Sequence, residues 1–365
     1  MSKKQSAAGP SATAARKELE RLDRELLKII NERARTCQKL AKARQQEGGL
    51  LHDMADDQSA FAKLLEANKG PLNEAGLRSI WREIQGQARS MIQPLRIAYL
   101  GPKYSYSHLA GIERFGDSLD LLPMATIKAV FEAVNVGEAN YGIVPIENST
   151  DGRVVDTLDM FARVPLQITG EVQLKIHHQL LGKCTRAQIT EVYSKPQALS
   201  QCREWLAKNL PNVRTVEMTS TALAAQIAAD KPGAAAVASY EAGLNYGLNV
   251  IDANIEDNKF NVTRFAVIGG EALKRTGHDK TALMFAIPHK PGALADAMAV
   301  FKRGRLNMTW IESFPMPNTK NEYLFFVELE GHQGDSKLKS ALVALGRKTD
   351  KLNVLGSYAR SLPLE

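Results

Sequence analysis

Cysteine is scarce in this chain of 365 residues: Cys37, Cys184 and Cys202 stand far apart, with no CxxC or Cys/His ligand spacing. That supports neither a disulfide framework nor a zinc site, so the thiols read as reduced and buried. Aromatic residues make up only 6% of the chain, and no apolar run approaches the ~18 residues a membrane-spanning helix needs. The opening segment MSKKQSAAGPSATAA is polar where a secretory signal would be apolar. The expectation is a cytoplasmic protein with no membrane partner.

What is present is an ordinary globular mixture, 44% hydrophobic and 24% charged, long enough for two to four domains. The net charge of +7 is uneven: residues 1–96 hold 18 Lys/Arg against 12 Asp/Glu, leaving 29 against 28 for the rest. The basic segment lacks the aromatic interleaving of single-strand binders and any helix-turn-helix or finger pattern, so nucleic acid is not expected as a partner.

From about 13 to 45 the positions Leu19, Leu22, Leu26, Ile29, Ile30, Cys37 and Leu40 step by three and four without Gly or Pro, which predicts one long amphipathic helix. Further helices are predicted at about 54–68 and 73–92, separated by Gly-Gly and Gly-Pro breaks. So short a helical unit cannot bury its own stripe, and self-association is the natural remedy. Arg33 and Arg44 lie on that stripe. A permanent cation on a buried face is costly without an anion, so either a carboxylate-rich ligand or an internal salt bridge is expected there.

After Pro94 short β-type runs alternate with helical ones to about 270, the texture of an α/β domain. In YGIVPIENSTDGRVVDTLDMF a strand runs into a polar turn and then a helix; Glu147 and Asn148 at its tip are expected to share one crevice. Ser149, Thr150 and Gly152, ahead of the helix N-terminus, suit either a bound anion or ordinary capping. Asn261-Val262-Thr263-Arg264-Phe265 opens another strand, with Arg264 as a carboxylate clamp and Thr263 as a proton donor to a leaving hydroxyl; an edge Thr and a surface Arg are the alternative. His177-His178 lacks a third ligand at a suitable spacing, which favours a hydrogen-bonding role over a metal. From about 276 the elements spell β-α-β-β-α-β, the ferredoxin-like order.

Six segments appear in a characteristic order: GPKYSYSH (101–108), VPIENSTDG (144–152), SKPQALSQC (194–202), TSTALAA (219–225), AAVAS followed by YGL, and NVTRF (261–265). With them the chain resembles the bacterial P-proteins, in which chorismate mutase is fused to prephenate dehydratase and a C-terminal ACT regulatory domain. The resemblance covers nearly the whole chain. It implies a tail at 1–12, an all-α mutase-like domain at 13–93, an α/β dehydratase at 95–272 with two lobes like the periplasmic binding proteins, and an α+β ferredoxin-like ACT domain at 278–365.

The activity it implies is conversion of prephenate to phenylpyruvate in phenylalanine synthesis. Arogenate dehydratase is a second reading, and a ligand sensor with a dead cleft a third. Thr263, Arg264, Phe265 and Glu147 would be catalytic, with Asn148, Ser149, Asn261, Ser107 and His178 lining the cleft. No metal or organic cofactor is called for. Tyr104 stands where the family has Gly.

In the ACT-like segment the resemblance assigns Gly292, Ala293, Leu294, Glu312 and Ser313 to a phenylalanine effector site, with Phe314 replacing the usual Arg. In the mutase-like segment it places Arg16, Arg33, Arg44, Asp53 and Asp57 at the chorismate site. Asp56-Asp57 stands where the family has Arg-Glu, and Ile92 where it has Gln or Glu. The segment is thus a working mutase, a dimerisation module, or a domain repurposed to bind another anion, in a homodimer or larger homo-oligomer.

Overall fold

The computed structural model describes residues 12–47, 54–269, 274–315, 323–361 and 363–364. With no Gly or Pro to interrupt it, Ala12–Gln46 is a single helix of 35 residues. Met54–Ala67 and Glu74–Ile92 follow. The last is started by Asn73, whose side chain accepts from the Gly76 N–H, and stopped ahead of Pro94. Only the C-terminal half of the long helix is covered, around buried Ala41 and half-buried Ile30 and Cys37. The rest of the expected inward stripe, Leu19, Leu22, Leu26, Ile29 and Leu40, is exposed: among the described residues, the two shorter helices Met54–Ala67 and Glu74–Ile92 do not cover it. Arg16 is exposed, while Arg33 and Arg44 are half-buried. Asp53 lies outside the described residues, as does the side chain of Asp57.

Arg82 of the third helix is ion-paired with Glu113, which joins the helical unit to the helix Tyr106–Phe115. Beyond it the chain builds two sheets. The first runs, in order, Pro363–Leu364, Ile168–Lys175, Val262–Gly269, Tyr141–Asn148, Arg96–Leu100 and Asp120–Met124. The second runs Asn249–Asp252, Gln179–Gly182, Ala234–Ala238, Glu191–Ser194 and Arg214–Glu217. ITGEVQLKIHHQLLG reads as one continuous stretch but is two strands in different sheets. The chain crosses between lobes at Ile176–His178 and returns through Asn261, so the two histidines and the Asn-Val-Thr-Arg segment meet at the junction.

The C-terminal unit is a four-stranded antiparallel sheet in the order Met308–Pro315, Tyr323–Glu330, Asp279–Ala286, Lys351–Ala359. Helices Ala293–Gly304 and Ser336–Gly346 cover one face. The other face packs on the first lobe through Met284, Phe314 and Phe326, in one core with Val130, Phe131 and Phe161. Phe314 is therefore an interface core residue. Gly356 marks the closest approach: a Cβ there would lie 2.1 Å from the Ile168 carbonyl oxygen, which only glycine permits.

Candidate active site at the lobe junction

Strand alternation decides which side chains meet. Asn148, Asn261 and Thr263 project to one side at the lobe junction. Asn148 Oδ1 accepts from the Thr150 and Asp151 N–H groups at 2.9 and 3.1 Å, which fixes the orientation of the amide. Its Nδ2 then donates to Asn261 Oδ1 at 2.9 Å and to Thr263 Oγ1 at 2.8 Å. Asn261 Nδ2 donates onward to Gln201 Oε1 at 3.0 Å, and His178 Nε2 lies 2.8 Å from that same oxygen. Gln201 Nε2 donates to Asp151 Oδ2 at 2.7 Å, and Gln197 also donates to Asp151. First and second lobes are thus tied across the junction by amides and one carboxylate. Asn148, Asn261 and His178 are buried, whereas Thr263 is half-buried.

His178 is held as a neutral ring: burial depresses its pKa more than its bond to Gln201 and the nearby Glu256 raise it. With Gln201 Oε1 as acceptor, the Nε2 atom carries the proton. His177 lies 3.0 Å from Glu256, whose carboxyl, which burial raises, is brought below its ordinary value by the hydrogen bonds to His177 and the His178 N–H. Among the described residues no group of three or more His, Cys, Asp or Glu side chains is placed to hold a metal ion.

Several expected site residues lie elsewhere. Glu147 and Arg264, one residue along from Asn148 and Thr263, point to the opposite face, where Arg264 Nη1 donates to Glu147 at 2.7 Å and Nη2 to Glu171 and Glu328 at 3.1 and 2.6 Å. The sharing of one crevice by Glu147 and Asn148 is thereby corrected, and the charge of Arg264 is met by three carboxylates on that face. Phe265 is buried in the first-lobe core with Ile97 and Tyr99. The expected anion site after Asn148 also fails to form. Gly152–Arg153 folds back onto Glu147–Asn148, the Thr150 and Asp151 N–H groups are used by Asn148, and the helix begins only at Val155. Ser149 exchanges hydrogen bonds with the Phe260 carbonyl and the Val262 N–H, so it closes the turn. Ser107 is buried in the first turn of the helix Tyr106–Phe115.

Sequence reading missed Gln201, Asp151 and Tyr106. Tyr106 donates to the His177 carbonyl at 2.8 Å and lies 3.3 Å from His178 Nδ1. Gln201 sat in a quoted motif, but nothing in a helical PQALSQ segment signals that one amide will face the other lobe. Tyr104 carries a left-handed φ of 65° and reaches the second lobe, its ring 5.5 Å from that of His108 and 6.5 Å from that of Tyr246.

In the C-terminal unit, Gly292, Ala293 and Leu294 line a cavity of about 370 Å³ with Lys290, Tyr323 and Phe325. Ser313 pairs with Phe325 and so shares that face; Glu312, on the opposite face, is bonded to Arg153 at 2.7 Å. In the helical unit, Arg33 sits with its guanidinium carbon 4.4 Å from the centre of the Trp81 ring, and its Nη1 is buried without a hydrogen-bond partner. It lines a groove of about 280 Å³ with Ile29, Glu32, Thr36, Cys37 and Leu40.

The helical unit, with Arg33 Nη1 buried and unpartnered, is joined to a two-lobed α/β unit with a polar junction, so the chain carries two separate candidate sites of the kind a two-domain enzyme presents. The family comparisons agree with that division. The chorismate mutase type II model matches residues 15–91 and the prephenate dehydratase model residues 97–272. A bifunctional chorismate mutase/prephenate dehydratase of Aquifex aeolicus is 41% identical over 352 residues, 95% of this chain and 97% of its own. That of Stutzerimonas stutzeri is 38% identical over 356 residues, 96% and 98%. The crystal structure of prephenate dehydratase in complex with L-Phe from Arthrobacter aurescens superposes with a TM-score of 0.68 at 33% identity, covering 73% of this chain and 90% of that one. The chain belongs to the bifunctional chorismate mutase/prephenate dehydratase family, and it is an enzyme of that family.

Proposed function

We propose that the lobe junction dehydrates prephenate to phenylpyruvate, with Thr263 as the hydrogen-bond donor to the departing hydroxyl. The observation that carries this is the bond from Asn148 Nδ2 to Thr263 Oγ1. Because Thr263 accepts there, its own hydrogen is free to point at a substrate. Prephenate, a dianion, takes up one proton as it gives phenylpyruvate, carbon dioxide and water, and its ring becomes aromatic. The driving force lies in the substrate, so the protein need only orient it and assist hydroxide to leave as water. A threonine hydroxyl, with a pKa far above neutrality, orients and stabilises rather than ionises. Asn148, Asn261, Gln201 and His178 hold it in place.

Arg33 is our choice for the anion-binding group of the mutase centre, supported by its unpartnered Nη1. The exposed leucines of the long helix support assembly of at least a homodimer, with a second copy covering them. The β-α-β-β-α-β unit is read as an ACT domain, and the cavity at Gly292–Leu294 as its L-phenylalanine site, supported by the L-Phe complex of the Arthrobacter relative.

The test is to supply chorismate and prephenate separately to the purified protein and follow substrate loss and phenylpyruvate formation. Phenylpyruvate from both supports two working centres; phenylpyruvate from prephenate alone removes the mutase half. No product from prephenate, with turnover of arogenate instead, reverses the substrate assignment.

A further inference from the structure

The junction between the C-terminal sheet and the first lobe contains charge that ordinary packing would avoid. Glu328 is fully buried, Glu171 nearly so, and both receive Arg264 Nη2. Lys280 lies 3.0 Å from Glu171 and 3.5 Å from Glu328, the Tyr358 hydroxyl donates to Glu328 at 2.8 Å, and the Ser361 N–H donates to Glu171 at 2.9 Å. Burial opposes the charge on Arg264, but Glu328 and Glu171 outweigh it and hold the guanidinium more firmly protonated than usual. The Glu171 carboxyl, which burial raises, is brought below its ordinary range by Lys280 and Arg264. Removing one member would leave another buried and unpaired, so the cluster acts as a unit.

Its position gives it a consequence for catalysis. Arg264 follows Thr263 on the same strand, and Glu147, its other partner, precedes Asn148 on the neighbouring strand; the register pairs Arg264 with Glu147 and Thr263 with Asn148. A second tie runs parallel to it: Glu312 of the C-terminal sheet bonds Arg153, which pairs with Glu147. Both strands that carry the Thr263–Asn148 bond are therefore gripped from behind by glutamates of the C-terminal sheet.

We propose that Arg264 does not touch substrate but is a positioning residue, the buried strut through which Glu328 sets the place of Thr263 and so the rate of dehydration. The inference rests on the assignment of prephenate dehydration to the Thr263 cluster. Displacing a hydrogen-bond donor by a fraction of an ångström slows the chemical step while leaving ground-state binding largely intact. A substrate clamp has the opposite signature.

The experiment measures prephenate kcat and KM for the full-length protein and for Arg264→Lys, Arg264→Met, Glu328→Gln and Tyr358→Phe, with thermal unfolding as the check on folding. The strut predicts that Glu328→Gln and Tyr358→Phe lower kcat by about fivefold or more with KM within about twofold, and that Lys at 264 recovers part of what Met loses. It is overturned if both C-terminal variants fold and retain the parent kcat, or if Arg264→Lys keeps kcat and raises KM by about tenfold or more. Should Glu328→Gln not fold, Tyr358→Phe decides, since it removes a single hydroxyl and keeps the ring. Failure of the parent protein to convert prephenate is a separate outcome: it withdraws the functional assignment itself, and the strut with it.

Discussion

Asn148 donates to Thr263 at 2.8 Å across two neighbouring antiparallel strands, and the amide has no freedom to turn because its oxygen is held by two backbone N–H groups. A hydroxyl that accepts from so fixed a donor has its own proton aimed away from Asn148. Thr263→Ala should therefore lower prephenate kcat by ~10²–10³-fold, the usual cost of losing one aimed donor, and Thr263→Ser should retain most of it. Steady-state rates decide; unaltered turnover in a folded Thr263→Ala protein removes this residue from the mechanism.

Gln201 takes two hydrogen bonds on its oxygen and gives one to Asp151. Gln201→Glu turns the donor to Asp151 into a carboxylate, so two like charges would face each other across the lobes. We expect a loss of ~1–3 kcal/mol in stability together with reduced prephenate turnover, read by denaturant unfolding and kinetics. Gln201→Glu with parent stability would show that the lobe tie carries no weight.

Arg33 and Trp81 give a prediction confined to the other centre. Arg33→Met keeps much of the side-chain length and removes the charge, so chorismate turnover should fall by ~10²-fold or more while prephenate dehydration stays at the parent rate. Equal loss of both activities would mean that the change acts on folding rather than on anion binding.

Tyr104 sets two effects against each other. Its left-handed backbone costs ~1–2 kcal/mol, which glycine would not incur, yet its ring packs between His108 and Tyr246. Tyr104→Gly should leave the unfolding free energy within ~1 kcal/mol of the parent and change KM for prephenate, because a cross-lobe contact is lost. A large destabilisation would show that the ring contact dominates.

The depressed pKa of His178 has a definite sign in stability. The unfolded chain takes up a proton near the ordinary value of 6.5, while the buried ring resists it. The contribution is thus fully present above pH 6.5 and is lost as pH falls from there toward the folded value. Comparing His178→Asn with the parent by denaturant unfolding between pH 5 and pH 8 isolates it: the parent should lose more stability on acidification than the variant. Parallel pH curves would count against a neutral buried ring.

The chain order of helices, α/β alternation and β-α-β-β-α-β was legible because periodicity and breakers act locally. The helix at 12–46 needs only unbroken helix formers, and the N-cap at Asn73 and the stop before Pro94 are local chemistry. Motif order likewise pointed to Thr263, Asn148, Asn261 and His178. What local signals could not give was the face of each strand and the partner across it. Arg264 reads as an anion clamp until the C-terminal sheet brings Glu328 to it, and Glu147 looks like a companion of Asn148 until the pleat turns it away. Gln201 and Asp151 come from separate lobes, 50 positions apart, and meet only when both are folded. The sequence by itself determined the elements, the residue types available at the lobe junction and the family. Tertiary structure decided which charges are spent on each other and which polar groups remain free for substrate, because both depend on side chains brought together from distant parts of the chain.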